Sequence, residues 1–269
     1  MDRMVRALRP VRWLTSPAVS GLENVPATRP LLFVGNHTLF GVLDAPMLIA
    51  EVYRLTGIAL RSLGDDLHFK VPLWAAMTRR IGAVPASPEA CARLMREGEA
   101  ILVFPGGARE VSKRKGEKYE LVWGNRVGFA RMAIEHACTI VPFACVGVED
   151  AFDIVIDADE ILASPVGRVL ERLGVRPDLV WPVVKGIGPT PLPRPERLYF
   201  GFAPPIETAS YERRSGDPER CAELRDRVRA AVRRTIRELR AQREADPDRS
   251  LLGRLARRAG LRRDAWHSR

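Results

Sequence analysis

The stretch 30–44, PLLFVGNHTLFGVLD, decides how this chain is read. Its first half is continuously apolar after a proline, which predicts a buried strand ending at Asn36 and His37. Its second half predicts a glycine-containing loop. A helix then follows, DAPMLIAEVYRLTG, with Asp44 as N-cap, Pro46 in the first turn and Gly57 at the end.

The same unit recurs outward from there. IALRSL predicts a second strand, VPLWAAMTRRIG a helix and AVPAS a short strand or turn. Ser87 and Pro88 open a helix to about Glu97, as N-cap and first helical residue. AILVFPGG is a buried strand running into a glycine turn, GNRVGFARMAIEHA a helix and TIVPFACVG a further buried strand. The pattern weakens from Ala151 to Pro195, where WPVVKGIGPTPLPRP is a proline-rich connection, and ERLYFGFAPPI predicts a late strand. Strands alternating with helices predict an α/β fold: one domain, a mixed β-sheet flanked by helices. That domain occupies 21–210, between an amphipathic segment, 1–20, and a basic helical region, 211–269. In the last, a helix over 218–243 lines up Leu224, Val228, Val232, Ile236 and Leu239 on one face.

Composition narrows the class. With 269 residues, 46% hydrophobic and 28% charged, the chain can build a sizeable core, which excludes disorder throughout. The net charge of +10 favours polyanionic partners: nucleic acid, anionic lipid or phosphorylated ligands. Cys91, Cys138, Cys145 and Cys221 form no C-x-x-C pair and read as small buried hydrophobes in a reducing compartment. No metal site is expected. No signal-peptide core and no run of about 18 apolar residues is found, so the expected location is cytoplasmic, peripheral on the inner face of a membrane. Met4, Val5, Leu8, Val11 and Leu14 recur at helical spacing among Arg3, Arg6, Arg9 and Arg12. Leu251, Leu252 and Leu255 do so among Arg254, Arg257 and Arg258. Each stripe suits an anionic membrane surface or a seat on the domain, and periodicity does not separate the two.

Two places carry candidate chemistry. His37 and Asp44 stand at a strand end, seven positions apart. In a continuous helix that spacing spans about 10 Å, too far for a hydrogen bond, so the loop must fold back, which Gly41 permits. A neutral imidazole there takes a proton from a hydroxyl while the carboxylate fixes its tautomer; the alternative is a loop His and a capping Asp. In VFPGGARE, Gly106 and Gly107 let backbone N–H groups approach an anion or oxyanion, and Arg109 suits a phosphate. The alternative is a plain turn with a surface Arg–Glu pair. The basic run KRKGEK, 113–118, reads as a solvated loop, and its place just after the glycine turn also suits contact with ligand phosphates or anionic lipid.

Taken in order, GNHTLFGVLD, GAVPAS, ILVFPGGARE and TIVPFACVG resemble the motifs of the glycerolipid (PlsC-like) acyltransferase superfamily. FPGGAREVSKRKGEKYELVWGNRVGFARMA is most similar to its diacylglycerol acyltransferase-like branch, which includes phytyl ester synthases. The resemblance implies a glycerol-3-phosphate acyltransferase-like fold, His37 as base and Asp44 as its orienting partner. It implies that Asn36, Thr38, Ser87, Phe104, Pro105, Gly106, Gly107, Arg109, Glu110 and Pro142 line the substrate site. It also implies acyl-CoA or acyl carrier protein as co-substrate, with no other cofactor, and a lipid acceptor. Three departures stand out. His37 and Asp44 enclose six residues rather than four, Gly106 replaces a glutamate in an FPEGTR-like motif, and the second motif lacks its usual arginine. They set a neutral acceptor, an acylglycerol or long-chain alcohol, beside a lysophospholipid. The rival classes are a basic nucleic-acid-binding protein and a non-catalytic lipid carrier. No nucleic-acid-binding motif is present, and nucleic acid is not the expected partner.

Overall fold

The computed structural model describes residues 1–65, 67–70, 75–76, 78–79, 81–212 and 214–260. Its strands, in chain order, are β1 (Ala18–Ser20), β2 (Leu31–Gly35), β3 (Leu60–Gly64), β4 (Val84–Pro85), β5 (Ala100–Val103), β6 (Thr139–Val146), β7 (Asp153–Ile156), β8 (Val183–Lys185) and β9 (Tyr199–Phe202). Seven of them form one sheet in the order β1-β9-β6-β2-β5-β3-β4, and β7 pairs with β8 as a separate ribbon. From β6 to β4 the sheet is parallel; β9 runs antiparallel to β6 and parallel to β1.

Side chains alternate between the faces of the sheet, as pleating requires. Leu32, Val34, Ile101 and Ile140 face one core. It is covered by the helices Pro88–Arg96, Gly128–Glu135 and Pro218–Ala245. Leu31, Phe33, Leu102 and Val141 face the other, where Met47, Leu48 and Val52 of the helix Asp44–Thr56 pack. Burial on both faces is why β2, β5 and β6 read as unbroken apolar runs.

Met4, Leu8 and Val11 also pack against that second core. Arg12 is tied to the buried Glu51 at 2.6 Å. The N-terminal stripe is therefore a layer of the fold, the second of the two readings its periodicity left open. The C-terminal helix Leu251–Arg258 locks onto it: Arg254 donates to the Leu14 carbonyl at 2.9 Å, and Arg258 lies over the Trp13 ring. All four cysteines are buried and free.

Other boundaries shift locally. The helix expected from Gly124 begins at Gly128, because the preceding residues form a turn. Half of the helix expected over 71–82 lies outside the described residues. The 151–195 connection is not featureless: β7, the helices Ala158–Ala163 and Pro165–Arg172, and β8 form an excursion beside the sheet.

Candidate active site

β2 and β5 are parallel neighbours, so the residues following each strand emerge side by side. Asn36 follows β2, fully buried. Its amide donates to the Cys145 carbonyl at 2.9 Å and accepts from the Cys145 N–H at 2.8 Å, continuing the β2–β6 ladder by one side chain. With both amide functions taken, Asn36 braces the next residue and is not placed to bind substrate. That residue, His37, stacks its ring on Phe104 from the β5 side, with centroids 3.8 Å apart and planes 11° apart.

The loop between His37 and Asp44 folds back. Phe40 N–H donates to Val111 O at 2.9 Å, and Gly41, at φ +66°, donates to Thr38 O at 3.0 Å. A Cβ on Gly41 would stand 2.5 Å from His37 Cε1, so only glycine gives both the turn and the close approach. Asp44 is thereby brought to His37, with Nδ1 and Oδ2 2.8 Å apart. Asp44 is the first residue of its helix rather than the N-cap, which is Leu43. Its Oδ2 also accepts from Thr38 N–H at 2.7 Å, and Oδ1 accepts from Ala45 N–H at 2.8 Å. Burial works against its charge, but His37 and these hydrogen bonds outweigh that and hold the carboxyl below the usual range. An ionised Asp44 fixes the proton on Nδ1, leaving the lone pair on Nε2.

The second loop, Phe104–Gly107, is held from beneath. Arg126 donates to the carbonyls of Pro105, at 3.0 Å, and Gly106. Gly107, at φ +50°, donates its N–H to Phe104 O at 3.0 Å. Gly106 lacks a side chain for a reason that the sequence does not show. A Cβ there would lie 2.2 Å from Oε2 of Glu110, whose carboxyl fills the space. Glu110 is fully buried. Its Oε1 accepts from Val122 N–H at 3.4 Å, while Oε2 has no partner among the described residues. Burial raises this carboxyl from 4.5 to about 7, with Lys113 and His37 opposing.

That shift has a readable sign. Between pH 4.5 and 7 the folded state keeps a proton that the unfolded chain has released, so stability falls as pH rises through this window. The loss attributable to Glu110 is about 3 kcal/mol. Glu110→Gln should remove it. Unfolding of both proteins at pH 5 and pH 8 should show the variant gaining on the wild type at the higher pH. A difference that does not change with pH would mean that Glu110 is ionised throughout.

The remaining predicted site residues divide. Thr38 is buried and its N–H serves Asp44. Arg109 is held by a bidentate pair with Glu117 at 2.5 and 2.9 Å and donates to Ser112 O, so its guanidinium already faces a carboxylate. Ser87 caps the helix Pro88–Arg96 through Ala90 N–H at 3.1 Å, after β4 at the far edge of the sheet from β2. Pro142 lies within β6 in register with Val34. The run 113–118 is not a free basic loop: Lys113 makes a buried pair with Glu149 at 2.6 Å, Arg114 pairs with Asp159 at 2.7 Å and Lys115 with Glu160 at 2.6 Å. The carboxylates come from 149–160, a segment whose pairing with 113–118 no local pattern announces. Sequence reading missed the Phe104 stack, Arg126 and the Glu110–Gly106 exchange; all three depend on contacts between separate loops. Among the described residues no group of His, Cys, Asp and Glu gathers to hold a metal.

An apolar groove of about 500 Å³ runs from Phe40, Val42 and Leu43 of the His37–Asp44 loop to Trp181, Val183 and Pro193. A smaller basic-walled cavity of about 240 Å³ adjoins it at Phe152.

Comparison with known proteins places this architecture. A family model described as "Acyltransferase" matches residues 16–146, the span that holds β2, β5, His37, Asp44 and the Phe104–Gly107 loop. Chloroplastic phytyl ester synthase 2 of Arabidopsis thaliana is 33% identical over 262 residues, covering 88% of this chain and 36% of that protein. This chain belongs to the glycerolipid acyltransferase superfamily. It spans about a third of the length of that plant relative. A second member, the DGAT1/2-independent enzyme synthesizing storage lipids of Bos taurus, is 29% identical over 134 residues, 50% of this chain and 40% of that one. The crystal structure of the 1-acyl-sn-glycerophosphate acyltransferase PlsC from Thermotoga maritima shares the fold, with a TM-score of 0.52 at 19% identity, covering 89% of this chain and 79% of that one. As a superfamily member, the chain closes its longer His–Asp spacing by the turn at Gly41, and Glu110 fills the space beside Gly106.

Proposed function

We propose that this protein is an O-acyltransferase that moves a fatty acyl group from a thioester, acyl-CoA or acyl carrier protein, to a lipid hydroxyl. The observation that carries the reading is the His37–Asp44 pair at the end of β2, 2.8 Å apart, with Nδ1 engaged and Nε2 left as base. His37 Nε2 takes the acceptor's hydroxyl proton while the oxygen attacks the thioester carbonyl. The tetrahedral intermediate collapses with cleavage of the C–S bond, and His37 returns the proton to the departing thiolate. Gly106 N–H, without a backbone acceptor among the described residues, is the donor for the carbonyl oxygen. The groove beside Phe40 and Trp181 seats apolar chain. The enzyme works at a membrane face; among the described residues no helix is long and apolar enough to span one.

The acceptor is an uncharged alcohol, an acylglycerol or a long-chain alcohol, in preference to a lysophosphatidic acid. Binding a phosphate monoester calls for an available cation, and Arg109, Lys113, Arg114 and Lys115 already face carboxylates. The name of the Arabidopsis relative, phytyl ester synthase, accords with such an acceptor. Purified protein given labelled acyl-CoA, acyl carrier protein thioester and a panel of acceptors should form esters of diacylglycerol or a long-chain alcohol with higher kcat/KM than phosphatidic acid. No ester from any pair would sink the acyl-transfer reading. A preference for lysophosphatidic acid would overturn the choice of acceptor.

A further inference from the structure

Most of the large apolar side chains that face solvent belong to one segment, 153–192. The helix Pro165–Arg172 is the clearest case. Gly167 seats it on the preceding helix, where a Cβ would strike the Leu162 carbonyl at 2.0 Å. Val166, Val169 and Leu173 recur at i, i+3 and i+7 on a face turned away from that seat, and they are 58%, 53% and 73% exposed. An amphipathic helix normally buries such a stripe; this one presents it to solvent. Arg168 and Arg172 flank the stripe, exposed and without an ion pair among the described residues. On the same excursion, Trp181 and Val183 wall the groove that reaches the His37–Asp44 loop.

We infer that the excursion 153–192, led by the Val166–Val169–Leu173 stripe, is the surface by which the protein docks on an anionic lipid bilayer. The chemistry fits that occupant: apolar side chains enter the headgroup boundary while unpaired guanidiniums meet lipid phosphates. A second copy of the chain fits less well, since a two-fold contact across this face would set Arg168 and Arg172 against their own kind. Docking here brings the groove mouth to the bilayer, so a lipid alcohol reaches His37 along apolar wall. The inference rests on the acyl-transfer reading only for that last step.

Vesicle flotation of the full chain tests it without turnover. Wild-type protein should bind vesicles of equal phosphatidylglycerol and phosphatidylcholine, bind pure phosphatidylcholine weakly, and release as salt rises. Val169→Asp with Leu173→Asp should lower binding at least tenfold, and Arg168→Glu with Arg172→Glu should erase the preference for phosphatidylglycerol. Arg3→Glu with Arg6→Glu, on the N-terminal layer, should change binding less than threefold. Both stripe residues are exposed, so the fold and turnover of a soluble short-chain alcohol should survive. Binding by the stripe variant equal to wild type overturns the proposal. So does a wild-type dimer in light scattering that the stripe variant converts to monomer, because the occupant is then a second copy. Absence of acyl transfer would count against the enzymatic reading and leave the vesicle result standing.

Discussion

His37→Ala should lower kcat for acyl transfer by roughly 10³-fold, within the range of about 10²–10⁴ that a positioned acid–base group contributes. The effect should fall on kcat rather than KM, because the proton moves only in the transition state. The fold should persist. Asp44 loses one partner but keeps the N–H groups of Thr38 and Ala45, so its buried carboxylate is not left bare. Circular dichroism and a thermal melt check that condition, and steady-state assay with the best acceptor of the panel reads the loss. A variant within tenfold of wild type would remove His37 from the chemistry.

How much of this was legible beforehand depended on which forces act locally. β2, β5 and β6 announce themselves because both faces are covered, leaving no polar alternation to confuse the pattern. The helix Asp44–Thr56 is bounded by a proline near its start and Gly57, at φ +74°, at its end. The pairing of His37 with Asp44 was visible as a possibility and undecided by spacing, since a six-residue loop closes or not according to the turn at Gly41 and the anchor of Phe40 on Val111. The N-terminal stripe was undecidable from periodicity alone: Met4, Leu8 and Val11 would look the same facing lipid or facing Phe33 and Val52. The segment 151–195 was opaque because its ribbon is short and its helical apolar residues point outward, the reverse of what burial patterns teach. Glu110 was the least legible. As the last letter of GGARE it reads as a surface charge, and only the approach of its carboxyl to Gly106 shows that it is buried in the loop.

Asp44→Asn should cost roughly 10²–10⁴-fold in kcat, the upper end being the ~10⁴-fold loss that follows when an Asp-to-Asn change forces a triad histidine into the wrong tautomer. The range follows from which donors face each oxygen. Oδ2 accepts from two, His37 Nδ1–H at 2.8 Å and Thr38 N–H at 2.7 Å, whereas Oδ1 accepts only from Ala45 N–H at 2.8 Å. An asparagine must put its oxygen on one side and its NH₂ on the other. Oxygen on the Oδ2 side keeps two bonds and sets one donor against Ala45; the opposite orientation sets NH₂ against Thr38 and turns His37 round so that Nδ1 accepts. Each orientation keeps two hydrogen bonds and opposes one pair of donors, so the bond count does not choose between them and the size of the loss reports which is adopted. In the first orientation His37 keeps its proton on Nδ1 and its lone pair on Nε2, and what is lost is the negative charge that stabilises the imidazolium formed during transfer; in the second the tautomer is reversed as well. The melt should fall by a few degrees, because a negative charge in the first turn of the helix is also lost. Turnover within threefold of wild type would show that the carboxylate does not support the base. A loss of 10⁴-fold or more would show that the side chain flips and that Ala45, not Thr38, governs its orientation.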